Sequence, residues 1–200
     1  MSHLTCLVEA LCCLPGIGAK SAQRMAFYLL QHQRQRGLNL ARCLETAMHN
    51  IQYCQQCNNF SEQEICSLCQ SSERDQSVLC IVESPADVIA IEHTRAYDGC
   101  YFVLMGKISP LHGFGPSDMP LDKLLKRINQ NTMREIILAL SPSVEGQTTI
   151  YFIRELLEPY VLHISQLAHG IPSGGELDYL DSHTIGSALR NRATITANHA

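Results

Sequence analysis

The residues most committed to chemistry in this 200-residue chain are four cysteines, Cys54-x-x-Cys57 and Cys66-x-x-Cys69, with eight residues between the pairs. Two CxxC pairs this close suit tetrahedral thiolate coordination of zinc, and the segment has too few apolar residues to fold around a core of its own. Four protein ligands leave no open position for water, so one structural ion per chain is expected, its binding coupled to folding of the segment. A redox role would call for a thiol pair in a strand-to-helix context, which is missing here. The other six cysteines read as core fillers: Cys80 and Cys100 in or beside strands, and Cys6, Cys12, Cys13 and Cys43 in helical segments.

A second set of residues has the form of an anion grip. Leu14-Pro15-Gly16-Ile17-Gly18-Ala19-Lys20-Ser21 lies between two helical patterns. Gly16 and Gly18 permit a tight turn that brings backbone N–H groups close to a phosphate. The next helix adds its unpaired first-turn donors and the positive end of its dipole. Lys20 and Arg24, four residues apart, share one face beside that turn. The segment reads as a helix-hairpin-helix that holds a nucleic-acid backbone and reads little sequence. A Walker A loop would need glycines where Ala19 and Leu14 stand, and a dinucleotide fingerprint would need a preceding strand. A basic helical turn with no ligand is the plain alternative.

A third set consists of acids at strand ends. Glu83 follows the buried run Val78–Val82, at the carboxyl end of a strand, where open α/β sheets carry functional groups. An acid there, with an Asp-x-Asp pair after a later strand, is the layout of the Toprim module, which resembles a magnesium site for phosphodiester chemistry. In this chain the later stretch is Ile136-Ile-Leu-Ala-Leu-Ser141-Pro-Ser143-Val-Glu145-Gly146, with serines at both aspartate positions. Hydroxyls are poor magnesium ligands, which leaves Glu83 and Glu145 as carboxylates and makes two-metal chemistry improbable. The alternative function is a Toprim-type metal-dependent nuclease or primase. Asp87, one turn from Glu83, either receives a basic partner with it or simply caps its helix.

These residues need scaffolds. Leu4, Leu7, Val8 and Leu11 predict a first short helix, and Ala19 to Gln33 a second with a stripe of Met25, Ala26, Leu29 and Leu30. A third is expected over Leu40 to Tyr53, and a polar linker over Ser71 to Ser77. Strands then alternate with helices: Val78–Val82, a helix opening at Ser84-Pro85 with Asp87 as the capping acid, Tyr101–Met105, Leu121–Asn129, Glu135–Leu140, Gln147–Leu157 and Val161–Ile164. That alternation predicts a mostly parallel sheet with helices on its faces. The fold class is α/β, with expected domains at 1–53 (helix-hairpin-helix), 54–70 (zinc), 78–166 (Toprim-like) and 167–200 (glycine-rich loop and helix).

The net charge of −4 argues against coating duplex DNA by bulk positive charge. Its distribution is uneven. Five basic residues and no acid lie between Ala10 and Leu44, whereas nine acids face two arginines between Glu45 and Cys100. A basic head on an acidic body implies a localised anion surface and a separate one for basic partners; solvated helix faces are the alternative. A zinc adaptor that binds only proteins would fit the acidic middle. No run of about eighteen apolar residues is present, and the N-terminus lacks a signal-peptide pattern, so a cytoplasmic location is expected.

Taken in this order, the motifs resemble the RecR family of bacterial recombination mediators along nearly the whole chain. The matching strings are Leu14-Pro-Gly-Ile-Gly-Ala-Lys-Ser-Ala-Gln-Arg-Met-Ala-Phe27, the four cysteines, Ser141-Pro-Ser-Val-Glu-Gly146 and Ala168-His-Gly-Ile-Pro-Ser-Gly-Gly-Glu-Leu177. The resemblance implies a non-catalytic DNA-binding mediator of single-strand gap repair. It would act with RecO and RecF, helping RecA load where single-strand-binding protein covers the DNA of the nucleoid. It also implies a ring-like homotetramer encircling duplex DNA, with the hairpin facing the hole and Toprim-side and C-terminal segments in subunit contacts. Lys20 and Arg24 fall on the family's DNA-binding positions, and Glu83 and Asp87 on acidic positions associated with RecO. One departure is Gln166, where the family commonly has an arginine.

Overall fold

A computed structural model of the chain describes residues 2–192 except 162, 169 and 173. Two compact units divide it, Met1–Ile51 and Gln52–Ala200.

The first unit is three helices: α1 (His3–Leu11), α2 (Ala19–His32) and α3 (Arg34–Asn50). Ser2 caps α1 by accepting from the Thr5 N–H. The third helix starts at Arg34 rather than near Leu40. Gln33 alone leaves helical geometry, and Gly37 is accommodated inside α3 where a side chain would meet Leu29. The far end stops at Ile51, which turns extended. Among the described residues of this unit only Ala22 and Ala26 are buried; α1 and α3 bury nothing. Three short helices do not enclose a core, because a small unit buries a small share of its surface. Met25 and Leu30, expected in a buried stripe, are therefore exposed. So are Cys6, Cys12, Cys13 and Cys43, which are not core fillers.

The second unit begins with a two-stranded antiparallel ribbon, β1 (Gln52–Tyr53) with β2 (Phe60–Ser61), followed by α4 (Ser67–Gln70). Then come β3 (Asp75–Val82), α5 (Pro85–Thr94), β4 (Gly99–Val103), α6 (Leu121–Gln130), β5 (Glu135–Ala139), α7 (Val144–Leu157), β6 (Ile164–Gln166) and α8 (Ser182–Arg190). The four longer strands form one wholly parallel sheet in the order β4-β3-β5-β6. Its side chains alternate between two buried faces, as the pleat requires. Leu79, Ile81, Phe102, Ile136 and Leu138 pack against Leu124, Ile153 and Leu157 of α6 and α7. Cys80, Val82, Tyr101 and Val103 face Val88 of α5. Cys80 and Cys100 are buried, as their place in strands implied. At α5 the Asp87 carboxylate accepts both the N–H and the hydroxyl of Ser84, so the expected capping box is present.

Several boundaries moved. The expected linker at Ser71–Ser77 is partly strand, because Asp75 N–H bonds Asp98 O and Arg74 is pinned to the sheet. Strand β4 starts at Gly99, helix α7 starts at Val144, and the last strand is Ile164–Gln166 rather than 161–164. Residue 162 of that expectation, residues 169 and 173 of the glycine-rich string, and 193–200 of the C-terminal segment lie outside the described residues.

Arg74 donates to Gly99 O and pairs with Glu92, whose other oxygen accepts the Tyr101 hydroxyl at 2.6 Å. Burial opposes the Glu92 charge, but Tyr101 and Arg74 outweigh it and hold the carboxyl below its ordinary range. A depressed folded value gives stability that is present above the unfolded carboxylate range and lost as pH falls through the folded one. The melting-temperature advantage of wild type over Glu92→Gln should thus hold at neutral pH and shrink as acid protonates Glu92. Thermal melts across a pH series measure it; a gap that does not narrow in acid would refute the assignment.

Candidate nucleic-acid interface, metal centre and strand-end cluster

The hairpin of the first unit is built by short-range backbone bonds. Leu14 N–H reaches Leu11 O and Ile17 N–H reaches Leu14 O, turning the chain between α1 and α2. Gly16 sits at φ +78°, a left-handed conformation that side chains disfavour. Gly18 is the N-cap of α2 and provides no side-chain hydrogen bond, so the first N–H groups of a 14-residue helix are left without a side-chain partner. A Cβ at Gly16 or Gly18 would meet nothing within 4 Å, so the turn presents bare backbone to its surroundings. Lys20 and Arg24 are both exposed, one turn apart on α2. Together these groups form a donor surface with two exposed cations beside it, suited to an anionic backbone.

The four cysteines converge. Their Sγ atoms all lie within 4.8 Å of one another, with Cys54, Cys57 and Cys66 buried and Cys69 partly so. The Cys66 N–H points at Cys54 Sγ at 3.3 Å, and Cys57 and Cys66 Sγ are 3.5 Å apart. Hydrogen bonds from the Cys57, Cys66 and Cys69 thiols hold Cys54 well below the ordinary thiol range. An all-sulfur tetrahedral set suits zinc and closes it to substrate. Such a centre carries net negative charge, and its neighbourhood answers with cations. Arg127, only 6% exposed, donates to Cys69 Sγ at 3.5 Å. Burial works against its charge, but Cys69, Cys100 and Cys57 more than compensate. Lys123 donates to Cys54 O and to Asn58 Oδ1.

The same segment is fastened to the sheet. Cys57 O accepts the Val103 N–H at 2.9 Å, and Asn58 Nδ2 donates to Val103 O at 3.0 Å. Asn58 adopts φ +59°, which turns the chain so that both bonds form. The metal loop therefore closes the outer side of β4, a strand with a neighbour on one side only.

At the carboxyl ends of β3 and β5, Glu83 Oε1 accepts the Ser141 N–H at 2.6 Å. Ser141 and Ser143 hydroxyls are 3.0 Å apart, and Ser143 caps α7 by accepting from the Gly146 N–H. Lys107, on the loop after β4, donates to both hydroxyls at 3.1 Å and lies 3.8 Å from Glu83 Oε2. Glu145 is held below its ordinary range by a backbone N–H, then by Ser143, Lys107 and His112. Glu83 and Asp87 both line a cleft of about 250 Å³ with Ala90, Ile91, Leu140 and Leu167.

Family models account for nearly the whole chain. The helix-hairpin-helix model of RecR matches residues 4–48, the RecR zinc finger domain with its four cysteines 51–71, the Toprim domain 77–168 and the C-terminal model of RecR 170–193. A curated relative, "Recombination protein RecR" of Legionella pneumophila subsp. pneumophila (strain Philadelphia 1), is 65% identical over 195 residues, covering 98% of both chains. The protein of the same name from the Corby strain is 65% identical over 98% of this chain and 99% of its own.

The chain belongs to the RecR family. Its zinc-finger match and its convergent thiols agree on one zinc ion per chain, which Cys54, Cys57, Cys66 and Cys69 would hold.

Sequence reasoning placed the hairpin, the thiols and the serine pair, and missed the cations that serve them. Arg127 had a readable signal: with Leu124 and Ile128 it falls on the apolar stripe of α6, where a lone arginine needs an acceptor. Lys107 had none, since its role depends on a loop that carries it to the ends of two other strands. Arg127→Met should hasten zinc transfer to a chelator by on the order of ten- to a hundred-fold while the fold persists. Release is followed with a colorimetric zinc indicator; unchanged release would show that Arg127 is only packing.

Proposed function

We propose that this chain is a DNA-binding mediator of recombinational repair, without catalytic activity, that assembles as a homotetrameric ring on DNA. In this reading RecO and RecF are its partners, and together they help RecA load at single-strand gaps covered by single-strand-binding protein. The observation that carries it is end-to-end 65% identity to proteins named for recombination, joined to an exposed backbone turn with Lys20 and Arg24 beside it.

Self-association is supported by what the first unit leaves uncovered. Leu4, Met25, Phe27, Leu30, Leu44 and Met48 are all exposed, as are four cysteines. Apolar surface on this scale favours a second copy. A ring would also concentrate several basic heads around one hole, letting a subunit of net charge −4 hold DNA. The absence of catalysis is supported by Ser141 and Ser143 at positions where metal-dependent Toprim enzymes carry acids. For RecO, the reading rests on Glu83 and Asp87, which flank one apolar cleft as a small acidic docking rim.

Two measurements test this. Affinity for short single- and double-stranded DNA is followed across a salt series, with magnesium present and the DNA checked for cleavage. The Lys20→Ala/Arg24→Ala chain should bind more weakly, with each lost phosphate contact flattening the log K against log salt slope by roughly 0.7 to 0.9. Equal binding by the two chains would move the DNA site elsewhere, and cut DNA would restore the nuclease reading. For the partner surface, Asp87→Asn keeps an acceptor for Ser84 while removing the charge. It should weaken RecO binding with DNA binding intact, and unaltered RecO affinity would refute the docking rim.

A further inference from the structure

The Toprim match brings with it an expected divalent cation at the carboxyl ends of β3 and β5, and the residues here do not fit one. Magnesium takes charged oxygen ligands in near-octahedral order. This cluster presents the Glu83 carboxylate and two hydroxyls, with Glu145 beside Ser143 and a positive charge among them. Lys107 Nζ is 3.1 Å from Ser141 Oγ, 3.1 Å from Ser143 Oγ and 3.8 Å from Glu83 Oε2. An ammonium has three N–H donors, and three oxygens surround it.

We propose that the Lys107 ammonium is a tethered cation that takes the place of the Toprim metal, binding Glu83, Ser141 and Ser143 together.

The loop that carries Lys107 is shaped for this. Met105 adopts φ +64°, an uncommon conformation for a residue with a side chain, and Gly106 packs so tightly that a Cβ would lie 2.7 Å from the Phe114 ring. Beyond the lysine, the Ile108 N–H donates at 2.9 Å to Thr149 Oγ1, a fully buried hydroxyl of α7. The backbone is thus fixed on both sides of Lys107 and aimed at the strand ends. A strained turn of this kind persists where the surrounding structure demands it.

The serines also acquire a reason. A pair of aspartates beside Lys107 would add two more negative charges to the one already on Glu83, whereas two hydroxyls accept from the ammonium while one of them donates to the other. Ser143 additionally holds the first turn of α7 through Gly146. Through Lys107 the carboxylate just after β3, the start of α7 and the loop after β4 become one unit. Lys107 is a positioning residue for Glu83, whose second oxygen is fixed by the Ser141 N–H. The inference stands apart from DNA binding by the hairpin, so failure of either leaves the other untouched.

The test uses the full zinc-loaded chain with Mn2+ as probe, read from loss of the free-ion paramagnetic resonance signal. Wild type and Lys107→Arg should take up no more Mn2+ than a Glu83→Ala control. Lys107→Ala/Ser141→Asp/Ser143→Asp should take up one further ion per chain. Restoring the lysine in the double-aspartate chain should weaken that uptake about ten-fold or more, since a like charge would sit at the metal position. Equal Mn2+ affinity with and without the lysine would overturn the proposal, as would tight Mn2+ binding at Glu83 in wild type. Should the aspartate chains not fold, Lys107→Ala alone decides. Its melting temperature should then fall below those of wild type and Lys107→Arg; a Lys107→Ala chain that melts with wild type would overturn the assignment.

Discussion

A four-stranded parallel sheet has two faces to bury and two edges to protect, and the second unit is organised by that demand. Parallel pairing forces each strand to return through a crossover, and the crossovers supply the covers: α5 over one face, α6 and α7 over the other. The continuous apolar runs of β3 and β4 are the sequence counterpart of a sheet wet on neither side. The crossovers leave the outer edge of β4 to the cysteine segment, whose short α4 also packs there. Arg74 takes Gly99 O at one end of that strand, and the metal loop takes Val103 at the other. The cysteine segment is thus a working part of the sheet, and its position follows from the same requirement as the helices.

Three cations of this unit, Arg74 and Arg127 largely buried and Lys107 34% exposed, show how charge is managed there. Arg74 meets Glu92 and the face of Tyr101, Arg127 meets the thiol cluster, and Lys107 meets Glu83 and two hydroxyls. Each bridges elements distant in sequence, so each acts as a pin as well as a counter-charge. Removing one partner from such a pair leaves the other stranded in a poorly solvated place, which is why the arrangements persist as pairs.

Much of this was legible in the letters. The CxxC pairs, the Pro-Gly-Ile-Gly turn and the Ser-Pro-Ser motif each depend on residues close together in sequence, where spacing settles geometry. The Ser84–Asp87 box was readable for the same reason. Burial in the first unit was not, because helical periodicity marks which face is apolar and says nothing of what covers it; hence Cys6, Cys12, Cys13 and Cys43 lie on the surface. Nor was the true start of β3, since Asp75 and Arg74 are polar and are held by Asp98, Gly99 and Glu92 across the chain. Lys107 belongs with these. Long-range pairing overrides local preference, and a single sequence carries no mark of it.

The two bonds at Val103 give the metal loop a second meaning. Edge strands are where proteins recruit one another by accident, since an open row of amides and carbonyls will accept any extended chain. Cys57 and Asn58 occupy that row at Val103, and an ion shared by the four thiols would stiffen the loop that carries them. A chain that loses its zinc would therefore not simply become looser; it would acquire an adhesive margin. Scarcity of the metal would be felt first as stickiness, with misdirected strand addition between chains, before any loss of the hydrophobic interior that the helices continue to guard.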